Sequence, residues 1–543
     1  MKFSICIVLI FLNSLAAFSQ VSQQWVKRYN GPAGGFDIAR EMLLKPDGSI
    51  IVIGNSVGIG TSSDIVIIKY SPAGDEQWVS RYNYPADRSD NVSSAVLDDL
   101  GYIFITGFIT DSTDVTRMAV LRFDSAGIFQ WIRTFDSTAY TQSYGESIAV
   151  SGDGNIFVTG TARSISSLND FVTMKFSLSG ELLWRKTYNG LGNGDDSSVG
   201  LVLDDQNNAF VTGSSKTTGT ASDIVTLKYN NSGDLLFTKT FSGPSDLDDR
   251  PTSVTTDQNN NIIIAGVTSG SNGFDYLTLK YSNQGNLSWS KIYDGTGNSI
   301  DYTYKVITDA EDNIYVTGSS RSGTLLGTED AVTIKYDSAG AVKWTNRFDG
   351  QASGSDIGYC LTVDSKQNVY IGCATDRGGI QLILGTLKLN SSGKMEWLQT
   401  YNFYSAPEDF PYSILVDDLD NVYLCGISFG GTTDYDIATI KYSQSIGISQ
   451  IGNSLPEKFE LFQNYPNPFN PSTKISFDLP QSSHTTLAIH NSIGQEITVL
   501  IDRDLQPGKY EFNFDASSLP SGIYFYTLSS AGFRKTGKMM LIR

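Results

Sequence analysis

One aromatic residue recurs through most of this chain at a fixed pitch, and that recurrence limits the fold more than any other feature. Trp25, Trp78, Trp131, Trp184, Phe237, Trp289, Trp344 and Trp397 follow one another at 53 residues, give or take one or two. Gly74, Gly127, Gly180, Gly233, Gly285, Gly340 and Gly393 each stand four residues before the next of these aromatics. A second series, Gly54, Gly107, Gly160, Gly213, Gly266, Gly318 and Gly426, follows each aromatic by 29, with Cys373 in that place in the seventh copy. Self-similarity at such a pitch marks a repeat architecture, in which one copy cannot bury its faces alone.

Within a copy, four short segments alternate in a period of two. In the third they are Glu146–Ser151, Asn155–Thr159, Asp170–Phe176 and Glu181–Thr187. They are rich in β-branched and aromatic residues and bounded by turn formers. Turns such as Ser151-Gly152-Asp153-Gly154 and Asp204-Asp205-Gln206-Asn207 tolerate the dihedrals of tight hairpins. Each copy is therefore a four-stranded antiparallel meander. Such sheets close radially or stack linearly, and four strands at this pitch fit a propeller blade better than a solenoid repeat. The expected fold is all-β: an eight-bladed β-propeller over residues 20–442, with first-to-third strands running from Asp37 to Tyr442. The eighth copy lacks its Trp strand, while an extra one, Gln24–Tyr29, lies at the N-terminus. Trp25's strand is expected to complete blade eight and remove two open sheet edges.

The other boundaries follow from composition. A chain of 543 residues exceeds one ordinary core. Its net charge of −18 lacks the basic footprint for nucleic acid or an anionic membrane. Residues 1–19 read as a signal peptide: Lys2, the apolar Phe3–Ala16, then Ala17-Phe18-Ser19, with cleavage between Ser19 and Gln20. The apolar run is short for a bilayer span, and no later segment is long and apolar enough to be a transmembrane helix. Residues 443–454 read as a linker. Residues 455–543 carry eight acidic and eight basic side chains, so the acidic excess belongs to the repeats. Alternating segments there, such as Lys474–Leu479 and Ile523–Leu528, suit a small Ig-like β-sandwich.

Two resemblances add to this. Asp330–Trp344, with Asn313–Gly318 upstream, resembles the bacterial SBBP β-propeller repeat family, a likeness that implies fold and says little of function. Leu461–Pro471 with Thr473–Leu479 resembles the type A sorting domain of type IX secretion system cargo. So do Ser492–Glu496, Leu519–Tyr524 and the terminal Lys538–Arg543. That resemblance implies export by the signal peptide, outer-membrane passage by the type IX machinery, and a secreted or cell-surface destination. In the family the tail is usually removed, and the body is released or attached to surface lipopolysaccharide.

The candidate site is acidic. Twelve residues after each aromatic stand Asp37, Asp90, Ser143, Asp196, Asp249, Asp301, Asp356 and Asp409. They fall where an outer strand connects to the next inner strand, and seven carboxylates there would crown the channel mouth. A second set, Asp64, Asp170, Asp223, Asp275, Asp330 and Asp436, opens third strands on the same face. Read functionally, the rim takes calcium or a cationic or polyhydroxyl ligand. Read structurally, each Asp caps its own loop, and its repetition in every blade favours this. A recurring Lys or Arg before the third-strand aromatic, from Lys69 to Lys441, is positioned to neutralise some acids.

Catalysis has little support. Both histidines, His484 and His490, lie in the tail, which removes histidine-dependent triads and metal sites from the repeats. Paired carboxylates suit glycoside hydrolysis, but no pair stands out. The Gly-x-x-x-Trp signature is shared with eight-bladed quinone-dependent dehydrogenases, yet the chain has no adjacent cysteines, and no cofactor is implied. Cys360 and Cys373 flank the Ser365–Asn368 turn and are candidates for a local disulfide, with buried thiols as the alternative. A binding or structural protein for an extracellular glycan or protein is thus favoured over a glycan-active or quinone-dependent secreted enzyme.

Overall fold

The computed structural model describes residues 21–542, apart from 166–167, 217–220, 271–272, 296–298, 323–327, 351–353, 377, 379–380, 405–407, 445–447, 453–454 and 517–518. The signal peptide and its Ser19/Gln20 junction lie outside the described residues. Among these residues every regular element is a strand, and no helix is long and apolar enough to cross a membrane.

Eight four-stranded antiparallel sheets form the repeats, and their inner strands neighbour one another in cyclic order, the eighth returning to the first. Blade one comprises Asp37–Leu44, Ile50–Val57, Ser63–Tyr70 and Glu76–Tyr82, and the next six repeat this plan. Blade eight takes Phe410–Val416, Asn421–Phe429 and Tyr435–Ser443, with Ser22–Tyr29 as its outer strand. The N-terminal strand therefore closes the ring as the phasing predicts.

The repeated markers have separate duties. The glycine four before each aromatic ends a hairpin at positive φ, and six of the seven sit against the preceding blade's aromatic, while Gly180 faces Arg133. A Cβ on Gly340, at φ +81°, would stand 2.8 Å from the Trp289 ring. The Trp289 indole donates to the Ser338 carbonyl at 3.2 Å, and Trp344 to that of Ser391 at 3.0 Å, and Trp25 and Trp184 make the same staple to the following blade. The second glycine answers a bulge in the inner strand. A Cβ on Gly54, Gly107 or Gly318 would run into an inner-strand carbonyl oxygen. In blade seven Cys373 takes this place, and Gly358 stands opposite it on the inner strand.

Two expectations change here. The disulfide is not formed: Cys360, Cys373 and Cys425 are buried free thiols. The bulge between Gly358 and Cys360 pairs Cys360 with Gly372, and Cys373 with Gly358, so the two thiols point to opposite faces of the blade. Within the stretch read as a linker, Ile448–Gly452 is a strand that pairs with Gly508–Asp515 in the tail's own sheet.

That tail is two four-stranded sheets around one core, which includes Ile475, Phe477, Leu487, Ile489, Phe512, Tyr526 and Met539. Its Pro-rich motif is built in by hydrogen bonds. The Asn464 amide donates to the Tyr526 hydroxyl at 2.9 Å, and its side chain to Thr473 Oγ1 at 2.8 Å. Phe469 forms a parallel bridge with Leu541 in the last strand.

Candidate functional site

Asp37, Asp90, Asp196, Asp249, Asp301, Asp356 and Asp409 are at most 1% exposed, so they do not crown an open mouth. Five take the amide of a glycine six residues earlier: Asp37 from Gly31, Asp196 from Gly190, Asp301 from Gly295 and Asp356 from Gly350 at 2.6 Å, and Asp249 from Gly243 at 2.5 Å. Asp90 takes the Tyr84 amide at 2.5 Å, and Asp409 the Phe429 amide at 2.9 Å. Six of the carboxyls thus latch the loop that leads into their own inner strand, while Asp409 holds the end of the second strand of its blade. Burial pushes all seven up from the ordinary carboxylate range, Asp90 to about 7 and Asp356 and Asp409 to about 6.

The second acidic set is partly neutralised, though not by the recurring lysines. Arg28 meets Asp436 at 2.7 Å, Arg81 meets Asp64 at 2.8 Å, and Arg347 meets Asp330 at 2.5 Å. These arginines lie three residues after the repeat aromatics. The lysines turn the other way: Lys228 pairs with Asp204 at 3.0 Å and Lys280 with Asp257 at 2.7 Å, in the hairpin turns between first and second strands.

What breaks the eightfold symmetry is the residue at the inner-strand bulge, three residues after each latch position. Every inner strand shifts register there. The inserted residues are Arg40, Ser93, Glu146, Val199, Thr252, Tyr304, Tyr359 and Tyr412. A bulge re-aims its side chain, and these bulges all lie on the innermost strand of their blade. Three consecutive blades supply tyrosine. The Tyr304 and Tyr359 rings lie 4.8 Å apart, and Tyr302 and Phe410 extend this wall at 5.3 and 5.9 Å. The Arg40 guanidinium lies over the Tyr412 ring at 5.4 Å. On the opposite arc, burial alone pushes the Glu146 carboxyl up to about 7. The bulge positions thus carry a run of aromatic rings in blades six to eight, a cation beside its end in blade one and an acid in blade three.

Sequence reasoning missed these positions because it read each inner strand as regular. The available sign was disagreement between copies: the latch aspartates repeat, whereas the residue three further on changes in nearly every copy.

Residues 463–542 match the family described as the secretion system C-terminal sorting domain. This tail marks a type IX secretion cargo. The protein is accordingly exported to the cell surface or the extracellular space. No curated protein matches the chain in sequence. Among solved structures, polysaccharide lyase Uly1 shares 10% identity, with 67% of this chain and 92% of that chain covered and a TM-score of 0.40. Puromycin hydrolase shares 12% over 72% of this chain and 58% of that one, with a TM-score of 0.42. PorZ of Porphyromonas gingivalis, an essential surface component of the type-IX secretion system, shares 10% over 96% and 100%, with a TM-score of 0.25. These likenesses are too distant to bear on what the chain does.

Proposed function

We propose that this exported propeller is a binding protein whose ligand, an extracellular glycan or protein segment, docks against the channel wall of Tyr304, Tyr359 and Tyr412. The observation that carries the reading is asymmetry. A structural position repeats around the ring, as the latch aspartate does in seven of eight blades, whereas the bulge residues differ and concentrate tyrosine in three adjacent blades. Tyrosine offers apolar area with a polar tip, and a concave wall of it with a few charged groups is what a binding site requires. The SBBP-like blades and the sorting tail fit a cargo that acts outside the cell.

The test is a glycan and protein-ligand screen with the mature chain, residues 20–543, beside Y304A/Y359A. Binding that the double variant weakens at least tenfold, with unchanged folding, supports the reading. Equal binding by both proteins refutes it. One observation favours a glycan-active enzyme instead: burial pushes the carboxyl of Glu146, an inner-strand bulge residue, up to about 7, where an acid–base catalyst works best. Product release from a bound glycan, abolished in E146Q, would establish that second reading.

A further inference from the structure

Arg40, the bulge residue of blade one, is half-buried and has no hydrogen bond or ion pair among the described residues. Its Nε is shielded from solvent without a partner, and the guanidinium lies over the face of Tyr412 at 5.4 Å. Every other half-buried arginine of the described repeats is engaged. They pair with carboxylates, as Arg28 and Arg347 do, or donate to backbone carbonyls of the next blade, as Arg122 and Arg133 do. The chain has a net charge of −18, so carboxylates are not scarce. A half-buried guanidinium left without one carries an unmet desolvation cost, which an oxyanion from outside would offset.

A second cation stands at the other end of the tyrosine run. Lys305 follows Tyr304 on the inner strand of blade six, is exposed, and makes no ion pair among the described residues. The acids around these groups are few. Glu41, next to Arg40, is turned to the Ser413 hydroxyl, and burial pushes its carboxyl up against the opposing pull of Lys305. Glu329, whose charge reaches Tyr304 and Tyr359, pairs with Arg321 at 3.0 Å. Glu408 acts on Tyr359, in the middle of the run. Positive charge therefore sits at both ends of an aromatic surface.

We infer that the ligand of the tyrosine wall is an acidic glycan, one bearing carboxylate or sulfate groups, and that Arg40 is the residue that selects its charge. This rests on the reading of Tyr304, Tyr359 and Tyr412 as the binding surface. The Tyr412 face meets the charge of Arg40 but leaves its N–H donors without an acceptor, and their planar fork matches an oxyanion with two parallel hydrogen bonds. An acidic peptide fits less well. An extended peptide is held by a continuous strand edge, and the inner strands of blades one, six, seven and eight are each interrupted by a bulge, which blunts such an edge. A glycan needs no strand edge: the apolar faces of its sugars lie on tyrosine rings while its charged groups meet the cations.

The test measures binding of the mature full chain to two matched pairs of probes: polygalacturonate and its methyl ester, and dextran sulfate and dextran. Salt is held at about 0.15 M, where long-range attraction is largely screened. At least one charged probe should bind at least tenfold tighter than its neutral partner. R40Q should erase that ratio and R40K should keep part of it. R163Q, at an exposed arginine on the second strand of blade three, should leave it unchanged. Absence of binding to both charged probes, or equal binding to charged and neutral partners, overturns the inference on the wild-type chain alone. So does a ratio that R40Q retains or that R163Q lowers as much, or poly-glutamate bound as tightly as the charged glycan. Y304A/Y359A separates the two readings. Glycan binding that this variant weakens, but that ignores esterification and R40Q, refutes the charge selection and leaves the wall standing. Charged-glycan binding that it leaves untouched refutes the wall, and the inference with it.

Discussion

Arg28 ties the first strand of the chain to the last strand of blade eight, and its removal should open the ring at that seam. The guanidinium is 15% exposed and Asp436 7%. Arg28 reaches Asp436 Oδ2 at 2.7 Å, donates to the Ser428 carbonyl at 2.8 Å, and lies 4.1 Å over the Phe403 ring. Removing one member of a buried pair leaves an uncompensated charge and costs about 3–5 kcal/mol. In R28A that cost falls on a terminal strand that can detach without unfolding its neighbours. Native-state hydrogen exchange should therefore show protection of the 22–29 amides falling by about 100- to 4,000-fold, with the other outer strands unchanged. R347A removes the same kind of pair inside blade six and should leave 22–29 protected. Asp436→Asn in the R28A background should recover part of the loss, because the stranded carboxylate is much of the penalty. A change of less than about tenfold at 22–29, or an equal change in every blade, would refute the reasoning.

Three further outcomes follow. Asp90 is fully buried with its carboxyl pushed up to about 7, so the folded state favours the protonated form. Stability should be highest below pH 4, decline as pH rises toward 7, and level off above it. D90N should flatten that profile and gain up to about 4 kcal/mol at pH 8, read from urea midpoints across pH 4–8; a parallel profile would count against it. Gly340→Ala forces a Cβ onto the Trp289 ring at positive φ and should cost at least about 1–2 kcal/mol in urea unfolding, whereas Gly494→Ala, at positive φ with open space around it, should cost about 1 kcal/mol. The mature chain should titrate three thiols when unfolded and none when native, since all three cysteines are buried; a single reactive thiol would mean that a disulfide forms after all.

The ring was legible because its determinants are local and repeat. Each tryptophan, each hairpin glycine and each turn recurs in register, and closure by Trp25's strand follows from counting strands. The candidate site was less legible. The latch aspartates are conspicuous in sequence, yet six of the seven face an amide six residues earlier, a contact that spacing alone does not reveal. The bulge residues were hidden because an inserted residue slips the alternation by one, and a reading of each inner strand as regular passes over that slip. Cys360 and Cys373 look symmetrical about their turn for the same reason, and the bulge rotates one of them to the far face.

The seam between Arg28 and Asp436 joins residues 408 apart in the chain. Bringing such distant ends together costs about 5 kcal/mol of chain entropy, and nothing offsets it until the Tyr435–Ser443 strand exists to receive the first one. The N-terminal strand must therefore wait, unpaired, while seven blades are made. A polypeptide cut short anywhere before that point keeps two raw sheet edges, an invitation to aggregation or proteolysis. The export tail begins just beyond the receiving strand. The order of parts along the chain thus works as a check on completeness: no copy can carry the tail without also carrying the strand that lets its ring lock.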